Sequence, residues 1–137
     1  MVHVSVVPKT GKVKVLDLTT VVDPGLVVNP RQLKRMAEGG AVMGTSEALH
    51  EAVAFNMGAI TDDDWVTFPI LRFEELPKIE VVIAANPTLA EGQPGGGGEG
   101  PNGFAHAAIA NAIFDAVGKQ PREAPFTPSR IKRLFAG

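Results

Sequence analysis

Cysteine is absent from the sequence. Disulfides, thiolate nucleophiles and cysteine-ligated zinc or iron–sulfur clusters are therefore excluded within this chain. No apolar run approaches the roughly 18 residues of a membrane-spanning helix. The N-terminus shows no basic region followed by an apolar stretch, so no secretory leader is expected. The cytoplasm is the default expectation, with the periplasm left open. Charge of either sign is scarce in excess: the formal net charge is −2, which gives no electrostatic case for nucleic acid or an anionic membrane as partner. Internal repeats are absent, as are a G-x-S-x-G elbow and a phosphate-loop lysine motif. His3, His50 and His106 share no ligand spacing. Each is expected on the surface or satisfied in the core, and no metal ligand is assigned.

What is present is enough for a core. Hydrophobic residues make up 45% of the 137 positions and charged residues 20%, a balance that argues against disorder. One domain, residues 1–137, is the expectation, and a chain of this size buries about two thirds of its unfolded surface. Strand-like alternation starts almost at once, as in a chain entered in mid-domain.

His3 to Val7 reads as a strand, Pro8-Lys9-Thr10-Gly11 as a turn with Gly11 suited to positive φ, and Lys12 to Val22 as a long second strand. The alternation slips by one residue near Leu16, which predicts a bulge or burial of both faces beyond it. Asp23-Pro24-Gly25 breaks the strand. Asn29-Pro30 pairs an N-cap residue with a first-turn proline, and a helix is expected from about Pro30 to about Phe55. Along it Gly40, Gly44, Ala48 and Ala52 form a row of small side chains four apart. Two readings stay open for that row: close packing of the helix on a sheet, or a ligand or another chain lying against it.

Ala59-Ile60-Thr61 is a short strand candidate. Asp62-Asp63-Asp64 reads as a solvated turn, because three consecutive carboxylates point in different directions and no calcium-loop spacing follows. Trp65 to Leu71 is apolar and is expected to pack on the sheet. Glu74, Glu75 and Lys78 read as surface charges, Ile79 to Ile83 as a strand, and Asn86 to Pro94 as a loop. Phe104 to Val117 reads as a helix stopped by Gly118, and Thr127-Pro128 opens a short basic helix to Phe135. The order β-β-α-β-β-α-α predicts an α+β fold: a mostly antiparallel sheet, one long helix and two shorter C-terminal helices.

One carboxylate stands inside a run of glycines, Gly95-Gly96-Gly97-Gly98-Glu99-Gly100-Pro101-Asn102-Gly103. Four consecutive glycines cost much backbone entropy to order. They are kept either as a slack linker or because the backbone must approach something closely. A helix directly after the run favours close approach, since a glycine turn before a helix N-terminus is a ready anion site. Glu99 can be presented there with little cover, as a catalytic carboxylate or as an ordinary loop residue.

Three segments, in this order, resemble a known family. The first is Val27-Val28-Asn29-Pro30 with Glu38 to Gly44 and Ala48 to Glu51. The second is Asp64-Trp65-Val66-Thr67-Phe68-Pro69-Ile70-Leu71-Arg72-Phe73. The third is Gly98-Glu99-Gly100 with Ala108 to Gly118 and Arg122 to Pro128. Together they look like the C-terminal part of the molybdopterin-binding large subunit of molybdenum hydroxylases, the xanthine dehydrogenase and aldehyde oxidase family, and most like the isoquinoline 1-oxidoreductase type. The resemblance implies a fragment of a molybdopterin-binding domain. The family hydroxylates a carbon of an aldehyde or N-heterocycle with water-derived oxygen, using a molybdenum–pterin cofactor that passes electrons to [2Fe–2S] clusters. A glutamate in a glycine-rich G-E motif acts there as base toward the molybdenum-bound hydroxyl, and Glu99 falls on that position. Gly39 and Gly40 fall where the family's long helix nears the cofactor, and Gly98 and Gly100 flank the base.

There are departures. Met36 stands where the family commonly has a glutamine contacting the cofactor. The glycine run is longer than the family's, and the family's subunit is several times longer than this chain. The implied partners are the remainder of the molybdopterin subunit, a separate [2Fe–2S] subunit and a small-molecule substrate. On this reading the chain is a separately encoded small subunit, a shortened piece or a remnant, inactive alone. The alternative is a non-catalytic assembly module that keeps the fold. In an isolated chain the Gly40/Gly44/Ala48/Ala52 row is expected to be exposed and to drive self-association.

Overall fold

A computed structural model describes residues 1–84 and 92–136. The N-terminal hairpin forms first in the chain: β1 (Val2–Val7) and β2 (Lys12–Val22) pair antiparallel. Gly11 turns between them at φ 73°, and a Cβ there would stand 2.0 Å from the Pro128 carbonyl oxygen. Glycine is thus required both for the turn and for contact with the C-terminal segment. Val4 pairs with Val15 and His3 with Asp17, so Leu16 is the extra residue of a bulge, where the alternation slips in the sequence.

Helix α1 (Pro30–Leu49) starts where Asn29 and Pro30 dictate: the Asn29 side chain accepts from the Gln32 N–H at 3.0 Å. It stops six residues short of Phe55. The Ser46 hydroxyl donates to the Glu51 carboxylate and accepts from the Leu71 N–H at 2.9 Å, while the His50 N–H caps the Ser46 carbonyl. These bonds fold the chain back before another turn can form.

Beyond α1 comes a small hairpin, β3 (Phe55–Asn56) with β4 (Ala59–Ile60). Met57 at φ 48° and Gly58 at φ 83° make its two-residue turn, the positive-φ pair such hairpins need. A single 3-10 turn (Phe73–Glu75) precedes β5 (Lys78–Ile83). β5 joins β2 in parallel, from Asp17 opposite Lys78 to Val22 opposite Ile83. The sheet order is β1-β2-β5, and two of the three pairings among described strands are antiparallel. Residues 86–91 of the expected loop lie outside the described residues.

Helix α2 (Gly100–Val117) begins four residues earlier than the sequence reading placed it, inside the glycine run. Pro101 occupies its first turn and the Gly103 N–H reaches the Glu99 carbonyl at 3.1 Å. Gly118 ends it in the left-handed conformation, φ 68°, as expected. Helix α3 (Pro128–Arg133) follows Thr127.

Both long helices lie on one face of the sheet. Val15, Ala48, Leu49, Ile109, Ile113, Phe126 and Ile131 form the main core, and Leu18, Ala41 and Ala105 a smaller cluster. α1 and α2 meet along Gly40, Gly44 and Ala48, all buried. A Cβ on Gly44 would stand 2.5 Å from the Asn102 carbonyl oxygen and 2.7 Å from the Ala105 Cβ. The small-residue row is therefore covered by the chain's own second long helix. The expected exposure does not hold: Ala48 also joins the buried cluster that includes Val15 of β2, and only Ala52, beyond the helix end, is exposed. Trp65 and Val66 also depart from expectation: they are exposed, while Leu71 reaches the core. Among the described residues no helix is long and apolar enough to cross a membrane.

Candidate functional site

The first half of α1 and the first turn of α2 bring two glycine-bearing segments to one end of the fold. A Cβ on Gly40 would stand 3.3 Å from the Pro101 Cβ and 3.5 Å from the Gly98 carbonyl oxygen. A Cβ on Gly97 would meet Leu33 Cδ1 at 2.6 Å and Met36 Cε at 3.3 Å. The run is also tied to the end of β2: the Gly95 N–H donates to the Pro24 carbonyl at 2.6 Å, and Gly25 bridges to Pro94. From Gly95 to Gly98 the described backbone is thus seated against α1 and β2, which is the close-approach use of glycine and not the slack-linker use.

Glu99 is the N-cap residue of α2, at φ −90° and ψ −22°. Its side chain is exposed, makes no capping hydrogen bond and has no ion pair among the described residues. The free N–H groups of the first turn lie at this end, so the backbone here is electropositive. Gly98 and Gly100 flank it; a Cβ on Gly98 would only touch Met36 Sδ at 3.7 Å, and one on Gly100 the Phe104 ring at 3.7 Å. Gly39 is exposed, with nothing within 4 Å of where a Cβ would stand. The site residues read from the sequence therefore cluster, with Gly40 buried against Gly98 and Pro101 while Gly39 and Glu99 face outward.

Beside them lies a cleft of ≈ 170 Å³ between the end of β2 and the start of α2, walled by Val21, Pro24, Gly96, Gly97, Pro101 and Phe104. The sequence reading missed Phe104 and Pro24 as walls. Phe104 was read only as the first residue of a helix, and its 76% exposure gives no periodic signal. The cleft is smaller than the roughly 300–1,000 Å³ of enclosing ligand pockets. Open backbone at Gly39 and Gly96 and an uncovered carboxylate at Glu99 fit one wall of a cofactor site, not an enclosure.

The histidines sit away from this cleft. His3 pairs with Asp17 at 2.9 Å, His106 lies 3.7 Å from Glu47, and His50 lies 3.6 Å from Glu75. The Asn102 amide donates to Glu47 at 3.2 Å, on the α1–α2 contact. Among the described residues no group of three His, Cys, Asp or Glu side chains is arranged to hold a metal ion.

Residues 1–77 match the Molybdopterin cofactor-binding domain family, and the chain belongs to it. Within that family it is similar to the molybdenum-binding subunits of hydroxylases and aldehyde oxidoreductases. It is 38% identical over 134 residues to a nicotinate dehydrogenase subunit of Pseudomonas putida, covering 98% of this chain and 11% of that protein. It is 31% identical over 118 residues to the beta subunit of isoquinoline 1-oxidoreductase of Brevundimonas diminuta, covering 85% of this chain and 14% of that one. The solved aldehyde oxidoreductase of Desulfovibrio gigas superposes with a TM-score of 0.83 at 27% identity, over 98% of this chain and 15% of its own. The chain thus spans only a small part of the length of the relatives it matches.

Proposed function

We propose that this chain is one part of a molybdenum hydroxylase that oxidises an aldehyde or an N-heterocycle with water-derived oxygen. The observation that carries the reading is Glu99. It is an uncovered carboxylate at the first turn of α2, on a glycine backbone seated against α1. The relatives named for nicotinate and isoquinoline, and the aldehyde oxidoreductase, support the substrate class.

The molybdenum–pterin group, when bound, supplies the two-electron oxidation of the substrate carbon. What this chain adds is a wall and a base. Gly39, Gly40, Gly98 and Gly100 are the candidate close-approach positions, with Gly40 acting by letting α1 seat the loop. Glu99 takes the proton at a carboxylate oxygen, a role that needs reach, exposure and freedom from a competing ion pair. The remaining walls, the [2Fe–2S] clusters and most cofactor contacts belong to the rest of the subunit and to a partner, since cysteine ligands are absent here.

The test uses the assembled enzyme. Glu99→Gln is expected to lower kcat by about 10²-fold or more, the range for loss of a positioned base, with molybdenum content unchanged. Full turnover in Glu99→Gln, or an assembled enzyme that holds no molybdenum, overturns the reading.

A second reading, a non-catalytic assembly module, has one observation of its own. Met36 lies over Gly97 and Gly98, where a thioether offers no amide hydrogen bond. Met36→Gln separates the two: raised cofactor occupancy in the assembled enzyme favours a cofactor wall, and no change favours the module.

A further inference from the structure

The segment 51–77, which we call the arm, is anchored by Leu71 on the main core and by Ser46 of α1, and is otherwise built inside out. Its turns are tied by their own polar groups, and seven of its large apolar groups face away. The Ala54 N–H donates to Asp62, and the Thr61 N–H to the Ala54 carbonyl at 3.0 Å, which closes the base of the β3–β4 hairpin. Asp64 accepts from the Val66 N–H at 2.9 Å, the Thr67 N–H at 2.8 Å and the Thr67 hydroxyl at 2.9 Å. That turn holds Trp65 and Val66 outward. Val53, Phe55, Met57, Ile60, Trp65, Val66 and Phe73 are all exposed, Met57 and Phe73 almost completely. Met57 also occupies a left-handed turn position at φ 48°, where Asn or Gly would cost less. The backbone there gains nothing from a methionine, whereas an apolar contact would.

We propose that the arm is a preformed plug for an apolar recess on the remainder of a molybdenum-binding subunit, supplied by polypeptide beyond these 137 residues. This rests on the reading above. Two observations choose that occupant. The matched family segment runs through the arm to residue 77, yet the chain covers only 11–15% of the relatives' length, so in those proteins the same segment sits within far more protein. The seven side chains together expose apolar surface of the order of the roughly 800 Å² per partner that a stable interface buries. A second copy of this chain is the rival occupant, and the test below separates the two.

The absence of cysteine makes the test direct. Val66→Cys reports on the arm and Lys9→Cys, in the β1–β2 turn, on the body. Each is placed in the isolated chain and in a chimera in which these 137 residues replace the matching segment of the Pseudomonas putida nicotinate dehydrogenase chain. Alkylation is followed by peptide mass spectrometry. The expected result is that position 66 reacts freely in the isolated chain and about tenfold or more slowly in the chimera, with position 9 unchanged. Equal rates at position 66 in both proteins overturn the proposal. Protection of position 66 in the isolated chain as its concentration rises makes the occupant a second copy and also overturns it. Molybdenum content reports separately on the family reading. A protected chimera without molybdenum sinks the cofactor role and leaves the plug standing, and a molybdenum-loaded chimera with position 66 reactive does the reverse. Should the chimera not fold, the isolated triple variant Phe55→Ser, Trp65→Ser, Phe73→Ser decides. An unchanged melting midpoint with improved solubility supports the plug, and a clear loss of stability means the arm packs on its own body and overturns it.

Discussion

The body and the arm use apolar residues in opposite ways. In the body, Ile109 and Ile113 are completely buried, and glycines at 40 and 44 let α1 and α2 close on them. In the arm, seven apolar side chains of comparable size stand in solvent, on turns whose backbone N–H groups donate to Asp62 and Asp64. Hydrophobic content alone cannot separate the two. The difference is whether the complementary surface lies in the same polypeptide. A fold that is complete by its own contacts thus carries an attachment that is not.

The largest effect that would break the comparison is at Gly44. Its added side chain would meet the Asn102 carbonyl at 2.5 Å, and backbone cannot yield as a side-chain tip can. Gly44→Val is expected to cost about 3 kcal/mol or more, exceeding any gain in helix propensity, read from urea denaturation. Next comes Ile109→Ala, which leaves a cavity in the main core and is expected to cost about 2–4 kcal/mol, with the denaturant slope unchanged. Trp65→Ala sharpens the contrast from the other side. With Trp65 at 69% exposure, its removal is expected to move stability by no more than about 0.5 kcal/mol; a larger loss would show the arm to be packed.

The smallest effect is in acid. Hydrogen bonds from Thr67 backbone, Thr67 hydroxyl and Val66 backbone hold the Asp64 carboxyl below the ordinary aspartate value of 3.8. A carboxyl lowered in the folded state lends support that is present above that pH and is lost as pH falls through its folded value. The turn under Trp65 is expected to loosen below about pH 4 while helical circular dichroism persists. Trp65 fluorescence, from the chain's one tryptophan, follows it, and Asp64→Ala should remove the transition.

Much of the body was legible because its signals are local. Asn29-Pro30 marks a helix start by chemistry within four residues, Gly118 a helix stop, and the slip at Leu16 a bulge. The end of α1 was not legible, because it is fixed by Ser46 meeting Glu51 and the distant Leu71. Nor was the cover over Gly40 and Gly44, since a row of small residues announces close approach without naming what approaches. The exposure of Trp65 and Val66 ran against their hydrophobicity, since what would cover them is not among the described residues. At the candidate site, Glu99 was singled out by its glycine neighbours, and its role came only from resemblance. The seat that α1 and β2 provide for the glycine run is tertiary, as is the wall formed by Phe104.

Among the described residues, the order β1-β2-β5 leaves two outer strands. Each keeps a line of amide and carbonyl groups along its far margin, where a sheet grows. Both long helices lie on one face, so a strand added beside β5 would lengthen the sheet without touching the α1–α2 contact. Lys78 and Glu80 stand along that margin on the open face, and such charges discourage stray strands from annealing there. The margin is in effect a selvedge: finished enough to hold alone, and cut so that more fabric can be joined to it sideways.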